Sequence, residues 1–182
     1  MPDTVNRPGQ WSAAEFFRAL TEQNRLASNL GFRFCRISGQ QGFEEALQLP
    51  GAQNIVAVSD TSDGFVRIDN TPFVRSVHTV FMAMRHKVDD LDARQSCFDT
   101  MREIFRQFMS RLIREKVRIE QNNIYLDSRI SFNEIDRWFF TGAAACWFTI
   151  AVDVNTDLRL RPDEWLPESD RVFSAQFTRQ FS

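Results

Sequence analysis

The sequence predicts an α+β fold: an antiparallel sheet covered on one face by a long helix and an N-terminal helix. Three observations carry this expectation. Residues 89–116 place Leu91, Cys97, Phe98, Met101, Ile104, Phe105, Phe108, Met109, Leu112 and Ile113 at spacings of three and four, on one side of a helix. Residues 73–86 alternate with period two instead. Shorter β-like runs flank the helical stretch on both sides, separated by Gly, Pro, Asn and Asp breaks. Strands joined by short breaks usually pair antiparallel, and a long amphipathic helix must bury its stripe on them, giving two layers.

Residues 1–10 are a polar lead-in with two prolines, unlike the apolar core of a secretory leader. A helix starts at Ser12, with Glu15 completing a capping box and Trp11 stapling onto Phe16. Phe16, Phe17, Leu20, Leu26 and Leu30 carry it to about Asn29, and Gly31 ends it. Phe32, Phe34 and Ile37 belong to a short strand broken by Gly39 and Gly42. Residues 43–51 allow one or two helical turns before Pro50. Residues 55–58 and 65–69 read as the arms of a hairpin, with a turn over 59–64 in which Gly64 takes positive φ.

In the long strand that follows, Phe73, Arg75, Val77, Thr79, Phe81 and Ala83 share one face. Val74, His78, Val80, Met82 and Met84 share the other. It runs into the long helix, whose first turn is acidic at Asp89, Asp90 and Asp92, as the helix dipole favours. Its polar side interleaves arginine and acid, with pairs such as Asp99–Arg102 and Arg111–Glu115. Beyond it, Ile124, Leu126, Ile130 and Phe132 share one face of a half-exposed strand, and residues 145–154 form the last strand. The domain therefore spans 1–154. Residues 155–182 read as a C-terminal arm, interrupted by Pro162 and Pro167 and bearing Trp165, Leu166, Phe173, Phe177 and Phe181. Uncovered, those side chains are a liability, so they are candidate interface residues.

The totals narrow the function. A net charge of −2 over 182 residues argues against a basic surface that holds nucleic acid. No apolar run is long enough to span a membrane. Cys35, Cys97 and Cys146 are few, scattered and set among apolar residues, as buried free thiols are. There is no phosphate-cradling glycine loop, no nucleophile elbow and no paired-cysteine metal motif. Catalytic, metal and cofactor residues are accordingly expected to be none. The one cluster with metal-like chemistry is His86 with Asp89 and Asp90, which reads far more readily as a strand end followed by an acidic helix start. It supports an alternative, a small metal-dependent hydrolase; a cellular protein-interaction module is the other.

The helix over 12–29, the turn over 59–64, the strand over 73–84 feeding the helix from Asp89, and the closing strand over 145–154 together resemble phage tail-terminator and head–tail-joining (tail-completion) proteins. The stretch from Phe73 to Phe108 also resembles prophage gene products. The resemblance implies a non-catalytic virion subunit, assembled in the host cytoplasm and resident in the tail or neck. Its partners would be copies of itself, commonly in a hexameric ring, and neighbouring tail or neck proteins. It carries no membrane contact and no sequence-specific nucleic acid. Asp60 and Asp63, at the expected hairpin tip, would then face the lumen, where acidic groups repel passing DNA. The arm from Asn155 lies outside the common pattern.

Overall fold

The fold is built on two thirteen-residue strands, β4 (Phe73–Arg85) and β7 (Ala143–Asn155), paired antiparallel without interruption from Phe73↔Asn155 to Arg85↔Ala143. The computed structural model describes residues 11–48, 54–69, 71–135 and 142–159, with Arg161 and Asp163. In chain order the other elements are α1 (Ala13–Gln23), α2 (Arg25–Asn29), β1 (Arg33–Ile37), α3 (Gly39–Gln48), β2 (Ile55–Ser59), β3 (Asp63–Arg67), α4 (Leu91–Glu120), β5 (Ile124–Leu126) and β6 (Phe132–Ile135). The sheet runs β1-β2-β4-β7-β5, with β3 also on β4 and β6 also on β7. It is mixed and mostly antiparallel, packed against α4 and α1, so the expected α+β class holds.

The long helix forms for the expected reasons. The Asp90 carboxylate accepts from the Ala93 N–H at 2.8 Å, and no Gly or Pro interrupts the helix before Glu120. Cys97, Phe98, Met101, Ile104, Phe108, Leu112 and Ile119 are buried against even-numbered residues of β4 and β7, among them Val80, Met82, Cys146, Phe148 and Ile150. Leu91 and Ile113, placed on that stripe by the sequence, are instead 64% and 67% exposed. They fall outside the buried stripe and face away from the sheet.

Several expectations are corrected. The first helix breaks at Asn24, whose extended backbone ends α1 and whose side chain caps α2 through the Ala27 N–H at 2.8 Å. Ser12 does cap α1, but the Glu15 carboxylate turns to Arg18 and Arg36 rather than completing a box. Gly39 and Gly42 do not merely break a strand; they lie inside α3, with Gly39 at φ +63. That helix is a crossover, and β1 and β2 consequently pair parallel. It also covers part of the second face: Phe43 stacks on Phe81 at 4.7 Å, within a smaller core that includes Ile37, Leu47, Ala57 and Ala145. The sheet is therefore not a simple two-layer arrangement. Pro50, expected to end this helix, lies outside the described residues.

The largest correction concerns residues 55–69, which are not a hairpin. Val58 faces Val80 and Asp63 faces Val77, so β2 and β3 lie end to end along the same edge of β4. Four residues, 59–62, stand opposite two, His78 and Thr79: a wide bulge in one long strand, not a reversal. The reversal comes instead between β3 and β4, which pair antiparallel. Gly64 has no positive φ; it is needed because a Cβ there would run into the Arg75 carbonyl oxygen. The strand expected around 124–133 is likewise split. Leu126 faces Val152 and Phe132 faces Phe148, so residues 127–131 bulge opposite 149–151. Since His78 pairs Ile150 and Thr79 pairs Thr149, both bulges fall at one level of the sheet.

Candidate functional site

Odd-numbered residues of β4 and β7 face away from α4. Between α3 and β6 this open face forms a groove of about 890 Å³, floored by Thr79, Phe81, Trp147 and Thr149. Ser59 and Thr61 of the first bulge line one side of it, and Asn133, Glu134 and Ile135 of β6 line the other. Its polar groups are chiefly hydroxyls and amides. The Glu134 carboxylate at its rim is held by Arg102 at 2.7 and 2.9 Å, which directs the acid toward α4. Among the described residues no histidine or cysteine lines the groove.

Below the bulges one row crosses four strands: Phe65 pairs Arg75, Arg75 pairs Asp153, and Asp153 pairs Tyr125. Arg75 donates two bonds to Asp153, at 2.6 and 2.7 Å, with Asp127 at 3.6 Å. Its guanidinium also lies 5.6 Å from the Phe65 ring centre. The bond to Asp153 leads the causes that raise the Arg75 pKa above its ordinary value. Phe65 further meets Phe73 edge-on at 5.8 Å. The strand carrying Phe65 is unusual in having all five residues exposed. Phe65, Val66 and the following Ile68 are 53%, 51% and 82% exposed, and β1 stops at Ile37, opposite Ser59. Among the described residues no strand pairs with the outer edge of β3. A second apolar surface runs along the outer side of α4, at Ile113 and Val117.

The candidate residues fall as follows. Asp60 and Asp63 are both exposed but occupy the β2–β3 bulge and the start of β3, not a hairpin tip; the Asp60 N–H donates to the Ile37 carbonyl at 2.9 Å. Asp89 lies in a turn at φ +67, and Asp90 is committed to capping α4. The His86 Nδ1 is 2.8 Å from the Lys87 carbonyl oxygen. Among the described residues no three His, Cys, Asp or Glu side chains converge as metal ligands. His78 lies far along β4 beside the Trp11 ring, 6.2 Å between centres, and burial pushes its pKa down. Cys97 and Cys146 are buried, Cys35 half-buried, and burial raises all three thiol pKa values. Trp165, Leu166, Phe173, Phe177 and Phe181 lie outside the described residues.

Sequence reasoning missed the Arg75–Asp153 bridge and the apolar β3 edge. Arg75 and Asp153 do sit at open-face positions of their alternating patterns, but only the register brings them together. No family model matches the chain, and no curated protein matches it in sequence. Within the described residues no helix is long and apolar enough to cross a membrane.

Proposed function

We propose that the chain is a structural subunit of a virion or phage-tail-like particle, forming a ring at the end of a tail tube and working by assembly, without catalysis. The observation that supports this reading is that exposed apolar residues occur at separate places on the subunit, Val88, Leu91, Tyr125 and Leu158 among them, and that two groups stand out. Phe65, Val66 and Ile68 lie at one sheet edge, while Ile113 and Val117 lie on the outer side of the long helix. Closed rotational symmetry needs two different faces of one subunit to meet, and a single patch supplies only one. The resemblance of element order to tail-completion proteins points the same way. Residues 155–182 add a third contact in this reading. The chain leaves β7 beside the β3–β4 turn, where the Thr156 N–H donates to the Pro72 carbonyl at 3.1 Å.

Native mass in solution, with negative-stain images of the same sample, tests the proposal directly. Rings of uniform size are expected. A chain lacking residues 156–182 is expected to keep its melting temperature and lose most of its assembly. A full-length monomer at working concentration, or stoichiometric metal that is lost on His86→Ala, would overturn the reading.

A further inference from the structure

We propose that β3 pairs with β3 of a second copy, antiparallel and centred on Phe65, joining two sheets across a two-fold axis. This contact occupies the β3 edge that the ring reading offers to a different face of the neighbour, so the two readings compete for that edge and the experiment below separates them. The argument starts from the strand itself. Its sequence, Asp63-Gly64-Phe65-Val66-Arg67, is self-complementary when reversed. Antiparallel pairing about Phe65 sets Asp63 opposite Arg67 of the second copy, and Arg67 opposite its Asp63. The two Phe65 side chains meet in the middle. All of these lie on the open face, since Asp63, Phe65 and Arg67 pair with Val77, Arg75 and Phe73. On the other face each Val66 falls opposite the bare Gly64 of the second copy. Opposite charges and aromatic pairs set directly across an antiparallel ladder are its favourable combinations.

Three further observations fit a second copy rather than another occupant. The outer edge of β3 has no strand beside it among the described residues, and the strand is exposed on both faces. Asp63 is exposed and has no ion-pair partner in its own chain among the described residues, so its carboxylate is available to a second copy. The Arg67 side chain is 56% exposed; it pairs with its neighbour Asp69 and lies 5.8 Å from the Phe73 ring centre, and remains accessible for exchange. An isologous contact counts each off-axis pair twice, so Asp63–Arg67 occurs on both sides of the single Phe65 pair and a short strand suffices to set the register.

The experiment is a charge exchange with a cross-linking control, on the full chain with Cys35→Ala. Asp63→Arg alone and Arg67→Asp alone are each expected to weaken dimerisation about tenfold, because every substitution is met twice. The double variant, which restores opposite charges, is expected to recover the starting affinity. Phe65→Cys is expected to oxidise rapidly to a disulfide-linked dimer, since directly opposed residues lie about 4.5–5.5 Å apart at Cα, within disulfide reach. Ile68→Cys, more exposed but off the axis, is expected to cross-link much more slowly. Circular dichroism checks that each variant is folded. Single reversals that leave the affinity unchanged, a double variant that stays weak, or Ile68→Cys linking as fast as Phe65→Cys would each overturn the proposal. Rings that persist with Phe65→Cys unlinked would sink this contact and leave the ring reading intact. Linked dimers without rings would do the reverse.

Discussion

Phe108→Ala probes the point where α1, α4 and the sheet meet. Phe108 is fully buried, and its ring lies 6.0 Å from that of Phe17, which in turn lies 5.6 Å from Phe148. Phe105 closes the cluster at 5.0 Å from Phe148. Truncation removes the ring from these contacts and leaves a cavity walled by rigid strands and a continuous helix, which collapse poorly. The loss is expected to be about 3–5 kcal/mol, the usual range for a buried Phe. For a chain of this size that corresponds to a fall in Tm of roughly 6–20 °C. Thermal melts by far-UV circular dichroism and urea titrations at one protomer concentration measure it, with an unchanged urea slope showing that stability alone has moved. The control is Ile113→Ala, on the same helix but 67% exposed, expected within about 0.5 kcal/mol of the parent. A Phe17→Ala/Phe108→Ala cycle should show coupling of about 0.5–1.5 kcal/mol beyond area burial. A loss under about 1 kcal/mol for Phe108→Ala, or a larger loss for Ile113→Ala, would mean that the helix is rotated on the sheet and the packing argument is wrong.

Gly64→Ala is expected to loosen β3 at a cost of about 1–3 kcal/mol, because its Cβ meets backbone, the Arg75 carbonyl, and not a movable side chain; faster amide exchange confined to residues 63–77 would show it. Glu115 accepts from Arg118 and from the Trp11 indole at 3.1 Å, and the Arg118 bond leads the causes that hold its pKa below the ordinary 4.5. Its folded pKa is depressed, so its contribution is complete above pH 4.5 and fades as pH falls through the lower folded value. Glu115→Gln should flatten the acid limb of Tm against pH, and an unaltered limb would remove the pair from the account. Thiol titration of the native protein should find Cys35 reacting slowly, with Cys97 and Cys146 silent until denaturant is added; rapid reaction of Cys146 would contradict its burial.

The parts of the fold legible in the sequence were those whose burial is one-sided or periodic over a long span. The α4 stripe was readable because six buried apolar positions, from Cys97 to Leu112, repeat over about four turns, and β7 because Cys146, Phe148, Ile150 and Val152 alternate with the less buried Trp147, Thr149 and Ala151. Residues 59–64 were misread for a physical reason. Ser, Asp and Gly favour local side-chain bonds in a tight turn and in a bulge alike, and only pairing with β4 distinguishes them. The α3 helix was half visible: Phe43 and Leu47 have helical spacing, but Gly39 and Gly42 have poor propensity, and the parallel crossover supplies what propensity lacks. At the candidate surfaces, the composition of β3 was in view from the start. Its meaning depends on the missing outer neighbour, and a neighbour's absence leaves no mark in a linear pattern.

The β4–β7 ladder also bears on how the chain can be made. Its nearest rungs, Arg85 and Ala143, close a loop of roughly 60 residues, and its farthest, Phe73 and Asn155, one of about 80. The central pair of the sheet therefore cannot form until the last strand exists, and folding should be slow for a chain of this size. During synthesis at about 5–20 residues per second, β4 waits several seconds with Val80, Met82 and one backbone edge unpaired. The partners yet available are β2 and β3 on its other side, the earlier α1, and the helix that follows it. A newly made α4 folding back over Val80 and Met82 would shield the strand through that interval, so the long helix serves as a nursery cover before it serves as the wall of the core.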